Sequence, residues 1–194
     1  MDVPSKVTVL AFNVDFGDCF LVRFSYPAVS GIKDKHMLID FGATRAKKDQ
    51  LASIAREIAE QCDGKLDILV ATHRHKDHIS GFARSKDGDS GDIISKLEPS
   101  IVMQPWTENP DVPDNASGPT MGMRSFANTL RGMDAFAASV RDFAQSLQEP
   151  NDWARLGFSR RERDFLEFAG ENNIANKSAV ENLIAMGKAG TPLF

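Results

Sequence analysis

Three of the four histidines in the chain lie within six residues, in the segment THRHKDH at residues 72–78. The segment follows directly on the apolar run LDILVA at residues 66–71, which predicts a short buried strand. The residues after it, Ile79-Ser80-Gly81, predict a compact turn. A loop that leaves a buried strand in this way can point several polar donors into one cavity. The fold must therefore accommodate a cluster of polar side chains at one end of a strand.

The residues around this segment follow the pattern of a mixed α/β chain. Apolar and alternating runs predict strands, whereas the spacing of Leu51, Ile54, Ala55 and Ile58 is typical of one face of a helix. The predicted elements are strands at residues 7–12, 19–26 and 36–41, a helix at 47–62, a strand at 66–71, a short helix at 92–97 and a strand at 100–104.

The second half of the chain has a different composition. Residues 105–122 contain four of the nine prolines and predict a loop. Helical spacing predicts a long helix at about residues 123–147 and shorter helices after Ser159 and Ser178, the last ending near Gly187. Residues 191–194 resemble the start of a strand.

Composition excludes several classes of protein. A chain of 194 residues that is 42% hydrophobic is long enough to form a core without disulfides. The net charge of −4 argues against a broad electrostatic surface for nucleic acid. The chain has no apolar stretch of membrane-spanning length and no signal-peptide core, and Cys19 and Cys62 indicate two buried thiols. We expect a cytoplasmic protein that does not enter a membrane.

The histidine segment has the chemistry of a metal site. Imidazole is the commonest protein ligand of transition metals, and a neighbouring carboxylate suits a Lewis-acidic ion. His73 and His75 are two residues apart and can share one ion, and Asp77 and His78 suit a second ion about 3.5–4 Å away. The alternative is a solvated histidine-rich loop, which its position directly after a buried strand disfavours.

Three blocks of the sequence resemble the metallo-β-lactamase superfamily. The segment THRHKDH matches the specific histidine motif of that superfamily. The run FNVDFGDCFLV at residues 12–22 and the strand HMLIDFG at residues 36–42 are similar to blocks of its members, in particular the hydrolase domain of DNA-uptake proteins. The resemblance covers about residues 7–104.

The resemblance implies a fold, a reaction and a set of ligands. The fold would be α/β, the N-terminal half of an αββα sandwich. His73 and His75 would hold one metal ion and Asp77 and His78 a second, with Zn expected and Mn or Fe as alternatives. The reaction would be hydrolysis, in which a metal-bound hydroxide attacks a phosphodiester or acyl centre, and Asp77 is the candidate catalytic carboxylate. The substrate would be a small molecule or a nucleic-acid phosphodiester.

Other polar residues near these blocks receive secondary roles. By the resemblance, Asp40 would order the histidine loop from outside the metal coordination; alone, it would be interpreted as a carboxylate that caps a turn. We expect Asp18 to form a turn and His36 to lie at the surface. Arg74 and Lys76 are either solvated charges or contacts to an anionic substrate.

The chain departs from the superfamily pattern after residue 104. Complete members have further histidine and aspartate ligands, but no histidine follows His78 here. The sequence therefore predicts half of a metallo-β-lactamase-like domain at residues 1–104, a helical insertion at 105–175, and the start of a second half at 176–194.

Three explanations account for the missing ligands. The chain is part of a longer hydrolase, a partner chain completes the fold, or the protein is a non-catalytic member that binds without turnover. A sheet that lacks its partner sheet exposes an apolar face, so we expect a homo-oligomer or association with the missing half.

Overall fold

The computed structural model describes residues 3–45, 48–105, 139, 159 and 177–193. These residues form a mixed α/β structure built on one six-stranded sheet. The strands are β1 (Lys6–Ala11), β2 (Cys19–Ser25), β3 (Lys35–Phe41), β4 (Ile68–Val70), β5 (Ile101–Met103) and β6 (Thr191–Leu193). The helices are α1 (Lys48–Gln61), α2 (Lys76–Ile79), α3 (Ser90–Ser95) and α4 (residues 177–189), and short 3-10 turns occupy Ala28–Ser30 and Ser80–Phe82.

The strands lie in the sheet in the order of the sequence, β1 to β6. The pairs β1–β2 and β2–β3 are antiparallel, and the remaining pairs are parallel. Because β3, β4 and β5 run in the same direction, their carboxyl ends meet at one edge of the sheet. In α/β sheets this edge is the usual position of a functional site.

One face of the sheet forms the core with the helices. The strand registers align a row of side chains across this face: Leu10, Leu21, Leu38, Leu69, Val102 and Pro192. The middle members of the row are fully buried and belong to one hydrophobic cluster with the apolar stripes of α1 and α4. The periodicity that predicted a helix at 47–62 is thus confirmed, and its apolar stripe is the core-facing side.

The opposite face of the sheet carries apolar side chains that are more exposed. They include Val9 (61% exposed), Val7, Phe20, Met103 and Leu193. Since side chains alternate along a strand, all five lie on the side away from the buried row. The expected association through this face stays a prediction.

The chain divides into two compact units, Met1–Asn109 with Asn176–Phe194, and Pro110–Ala175. Apart from residues 139 and 159, the second unit lies outside the described residues, as do the helices predicted at 123–147 and after Ser159. The helix predicted after Ser178 is confirmed, although Ser178 lies within it and its hydroxyl bonds the backbone of Arg84 instead of capping. The strand predicted at 191–194 is confirmed as β6, which joins the same sheet beside β5.

None of the helices within the described ranges is long and apolar enough to cross a membrane.

The expectation that His36 lies at the surface is wrong. His36 is only 7% exposed, because it shares the buried face of β3 with Leu38 and lies opposite Arg23 on β2. The Arg23 guanidinium in turn donates to the Oε1 of Gln61 and to its carbonyl, at the end of α1. Burial, followed by the charge of Arg23, lowers the pKa of His36 below 6.5 and outweighs the nearby carboxylates.

Acidification should therefore destabilise the fold through His36. As pH falls below about 6.5, the unfolded chain binds a proton at this histidine that the folded protein does not bind. The free energy of unfolding then decreases with falling pH, by at most about 1.4 kcal/mol per pH unit from this group. Urea unfolding at about pH 7.5 and about pH 5.5 measures the effect.

The matched variant is His36→Leu, which removes the titrating group and keeps an apolar side chain on the buried face. The wild type should lose more stability on acidification than His36→Leu does. Equal losses in the two proteins, or a wild type that gains stability, would contradict this assignment.

Candidate metal centre

The histidine segment lies at the carboxyl end of β4, where the chain turns into the single helical turn α2. The backbone N–H groups of His78 and Ile79 both donate to the carbonyl of His75, which closes that turn. The turn brings His78 back over His73, with ring centroids 3.7 Å apart, and the His73 and His75 rings are 4.6 Å apart. The fold thus gathers all three imidazoles of the segment at one point.

Asp40, near the end of β3, connects this loop to the sheet. Its carboxylate is 4% exposed and has a hydrogen-bond donor for each oxygen. The Thr72 backbone N–H donates to Oδ1 at 2.8 Å, and the Thr72 hydroxyl donates to Oδ2 at 2.6 Å. The Nδ1 of His78 lies 2.9 Å from the same Oδ2. The backbone of Asp40 has a positive φ of 53°, which is unusual for a residue other than glycine and typical of constrained sites.

These contacts assign the protons of two histidine rings. An Asp40 carboxylate accepts hydrogen bonds, so Nδ1 of His78 carries the proton. The Thr72 hydroxyl gives its hydrogen to Asp40 and therefore accepts one from Nδ1 of His73, 3.0 Å away. In the neutral form of each ring, Nε2 is then unprotonated and can bind a metal.

Electrostatics also favour the neutral form of His73. Burial lowers its pKa, and the neighbouring His78 and His75 lower it further. A neutral ring at ordinary pH is available as a ligand.

Asp77 lies on the Nε2 side of His78. Its Oδ2 is 3.5 Å from that nitrogen, and its side chain is 39% exposed. The structure thus brings together His73, His75, Asp77 and His78, the four residues that the sequence proposes as ligands, with Asp40 behind them.

Backbone packing positions the loops around the centre. The N–H of Asp18 donates to the carbonyl of Asp77 at 3.0 Å, and the N–H of Gly42 donates to the carbonyl of Asp18 at 3.1 Å. Gly17 packs directly on the backbone of Gly42, where a Cβ atom would overlap the carbonyl oxygen. Three loops, one before β2, one after β3 and one after β4, are therefore packed with almost no space between their main chains.

Two further residues at this edge were not recognised as part of the site from the sequence. Asp18 was interpreted as a turn residue, yet its Oδ2 lies 3.3 Å from Nδ1 of His78. Gln104, directly after β5, is 7% exposed, and its Nε2 has no hydrogen-bond partner. Gln104 lines a cavity of about 10 Å³ with His73 and Arg74, which is room for about one water molecule.

Within the ranges that the structure describes, one group of three ligand-type side chains has atoms within 4.8 Å of each other, namely Asp18, Asp40 and His78. In this group both carboxylates face Nδ1 of His78. Both oxygens of Asp40 also accept hydrogen bonds from Thr72, and the Nε2 of the same ring faces Asp77.

None of the family models, curated proteins or solved structures compared with the chain matches it.

The backbone packing predicts that Gly42→Ala disrupts the centre. An alanine Cβ would lie 2.6 Å from the backbone nitrogen of His78, so α2 would have to move away from β3. We expect metal affinity to fall at least about tenfold and the free energy of unfolding to fall by about 1–3 kcal/mol. Isothermal titration with Zn²⁺ and urea unfolding measure the two effects.

Gly187→Ala in α4 is the control, because its Cβ would meet only ordinary contacts, the nearest at 3.4 Å. Unchanged zinc affinity in Gly42→Ala would show that α2 and β3 are not held together in the way described.

Proposed function

We propose that the chain carries the metal-binding half of a hydrolase of the metallo-β-lactamase type. The observation that supports this most is the orientation of His73 and His78. The Nδ1 of His78 contacts Asp40, and the Nδ1 of His73 contacts the Thr72 hydroxyl, which donates to Asp40. The Nε2 of each ring is then left for a metal. The centre lies at the carboxyl ends of parallel strands that belong to a mixed α/β sheet. In this proposal the sheet and its helices are half of an αββα sandwich.

Each side chain has a role in this proposal. His73 and His75 hold one divalent ion, and Asp77 and His78 hold the second. Asp40 and Thr72 fix the tautomers and orientations of two of the rings. Bound ions would supply Lewis acidity, to activate a water molecule and to stabilise negative charge on the substrate.

We propose a phosphodiester as the substrate rather than a neutral acyl compound. Lys76 and Arg74 border the ligands on the same loop, and a phosphodiester carries the negative charge that these cations attract. Asp77 is partly exposed beside Nε2 of His78, and in this proposal its carboxylate also orients the attacking water.

The second candidate is a metal-binding module without turnover. The histidine loop provides two ligands for each ion, whereas catalytic zinc has about three protein ligands. We therefore expect this chain to bind metal weakly by itself and to be a poor enzyme until further ligands are added by a partner chain or a longer protein.

Removal of the first ligand pair tests the metal assignment. The double variant His73→Ala, His75→Ala should lose at least about tenfold in zinc affinity for one of the two ions, because both ligands of that ion are gone. Metal content at equilibrium dialysis against a fixed Zn²⁺ concentration, measured by mass spectrometry on chelator-free protein, gives the stoichiometry. His36→Gln is the control, because His36 lies at the amino end of β3, whereas the histidine loop meets its carboxyl end. Equal metal content in the wild type, the double variant and His36→Gln would contradict the assignment.

Hydrolysis of bis-(p-nitrophenyl) phosphate, with Zn²⁺ or Mn²⁺ added, tests the reaction. Turnover that requires metal and is lost in Asp77→Asn supports the hydrolase. Metal binding by the wild type without turnover of phosphodiester or acyl ester would favour the binding module.

A further inference from the structure

Two carboxylates meet at one nitrogen of the site. Asp40 and Asp18 approach Nδ1 of His78 from two different loops, with oxygens 2.9 Å and 3.3 Å away. Only one proton is available on that nitrogen, and Asp40 already holds it in the shorter contact. The Asp18 carboxylate is thus a second negative group beside Nδ1 of His78, whose proton is already shared with Asp40.

The Asp18 side chain is not needed for the turn in which it lies. Its backbone N–H and carbonyl are bonded to Asp77 and Gly42, and a substitution of the side chain leaves both bonds in place. In the same loop, Asn13 behaves as a turn residue does, because its Oδ1 accepts from the backbone N–H of Asp15. Among the described residues, no backbone N–H donates to the Asp18 carboxylate.

We propose that Asp18 is a positioning residue for the ion that His78 binds. This inference rests on the metal centre proposed above. A carboxylate against Nδ1 holds the ring in place and makes Nε2 a better electron donor, which strengthens the bond to a metal. Asp18 and Asp40 have the same role but different positions. The Asp18 side chain is 43% exposed and lies on the solvent side, whereas that of Asp40 is 5% exposed.

The two carboxylates should differ in the number of metal ions that they affect. Asp40 contacts His78 directly and His73 through the Thr72 hydroxyl, so it serves both ions. Asp18 contacts His78 alone among the ring nitrogens of the histidine segment. Loss of Asp18 should therefore weaken one metal-binding step and leave the other unchanged, whereas damage to the loops would weaken both.

The test is a titration of the full chain with Co²⁺, followed by its visible absorption and by competition with a chelator. Asp18→Asn should weaken one of the two binding steps about tenfold, and Asp18→Ala should weaken it by up to about 100-fold. The other step and the unfolding temperature should stay close to the wild-type values. Asp15→Asn is the matched control, because it removes the same charge from the same loop at an exposed residue with a positive φ of 64° that asparagine tolerates.

Three results would overturn the inference. Unchanged binding in both Asp18 variants would show that the carboxylate does not act on His78. Weakening of both steps together with a lowered unfolding temperature, or failure of both variants to fold, would show that Asp18 is structural. A wild type that binds no Co²⁺ would contradict the proposed metal centre itself, whereas the first result, in a wild type that binds two ions, contradicts only the role of Asp18.

Discussion

The buried carboxylate of Asp40 holds the candidate site together. A carboxylate removed from water is costly unless donors replace the water, and here the donors are the N–H and hydroxyl of Thr72 and the Nδ1 of His78. Each of these donors belongs to the segment that follows β4. The requirement to satisfy one buried charge therefore places the histidine loop against the end of β3 and orients two of its rings.

Close backbone packing makes this arrangement rigid. Gly17 and Gly42 lie where any side chain would overlap a neighbouring main chain, and Gly81 lies against the ring of Phe41, where a Cβ would be 2.6 Å from a ring carbon. Rigidity of this kind suits a site whose side chains must be oriented before the metal ion binds. The polar contacts set the direction of each imidazole, and the glycines bring the loops near enough for those contacts to form.

Local patterns predicted the α/β class and most of the strands and helices in the part of the chain that the structure describes. The periods of two and 3.6 residues correctly indicated β2, β3 and α1, each of which buries one stripe against the same core, and the β-rich run at 7–12 indicated β1, whose Leu10 is partly buried there. The strand predicted at 66–71 is shorter in the structure, Ile68–Val70. The burial of His36 was missed because the position was judged from the charged loop before it. The alternation along β3 would not have corrected this, because Met37, Ile39 and Phe41 form a more apolar set than His36, Leu38 and Asp40, which lie on the buried face.

The sequence identified candidate ligands but could not predict their geometry. The motif named His73, His75, Asp77 and His78, while the role of Asp18 depends on the pairing of Cys19 with Phe41, which brings the start of β2 beside the end of β3. Such long-range pairing has no local signal. The tautomers depend on Asp40, which is 32 positions from Thr72 and 38 positions from His78 in the chain.

The tautomers are also the most direct test of the account. In the metal-free protein at a pH where the imidazoles are neutral, long-range ¹H–¹⁵N correlation spectra distinguish a proton on Nδ1 from one on Nε2. The account predicts the Nδ1–H form for both His73 and His78, with Thr72 and Asp40 as the acceptors. A proton on Nε2 of either ring would contradict it, because the unprotonated nitrogen of that ring would then be Nδ1, which faces Thr72 or Asp40 instead of the proposed metal.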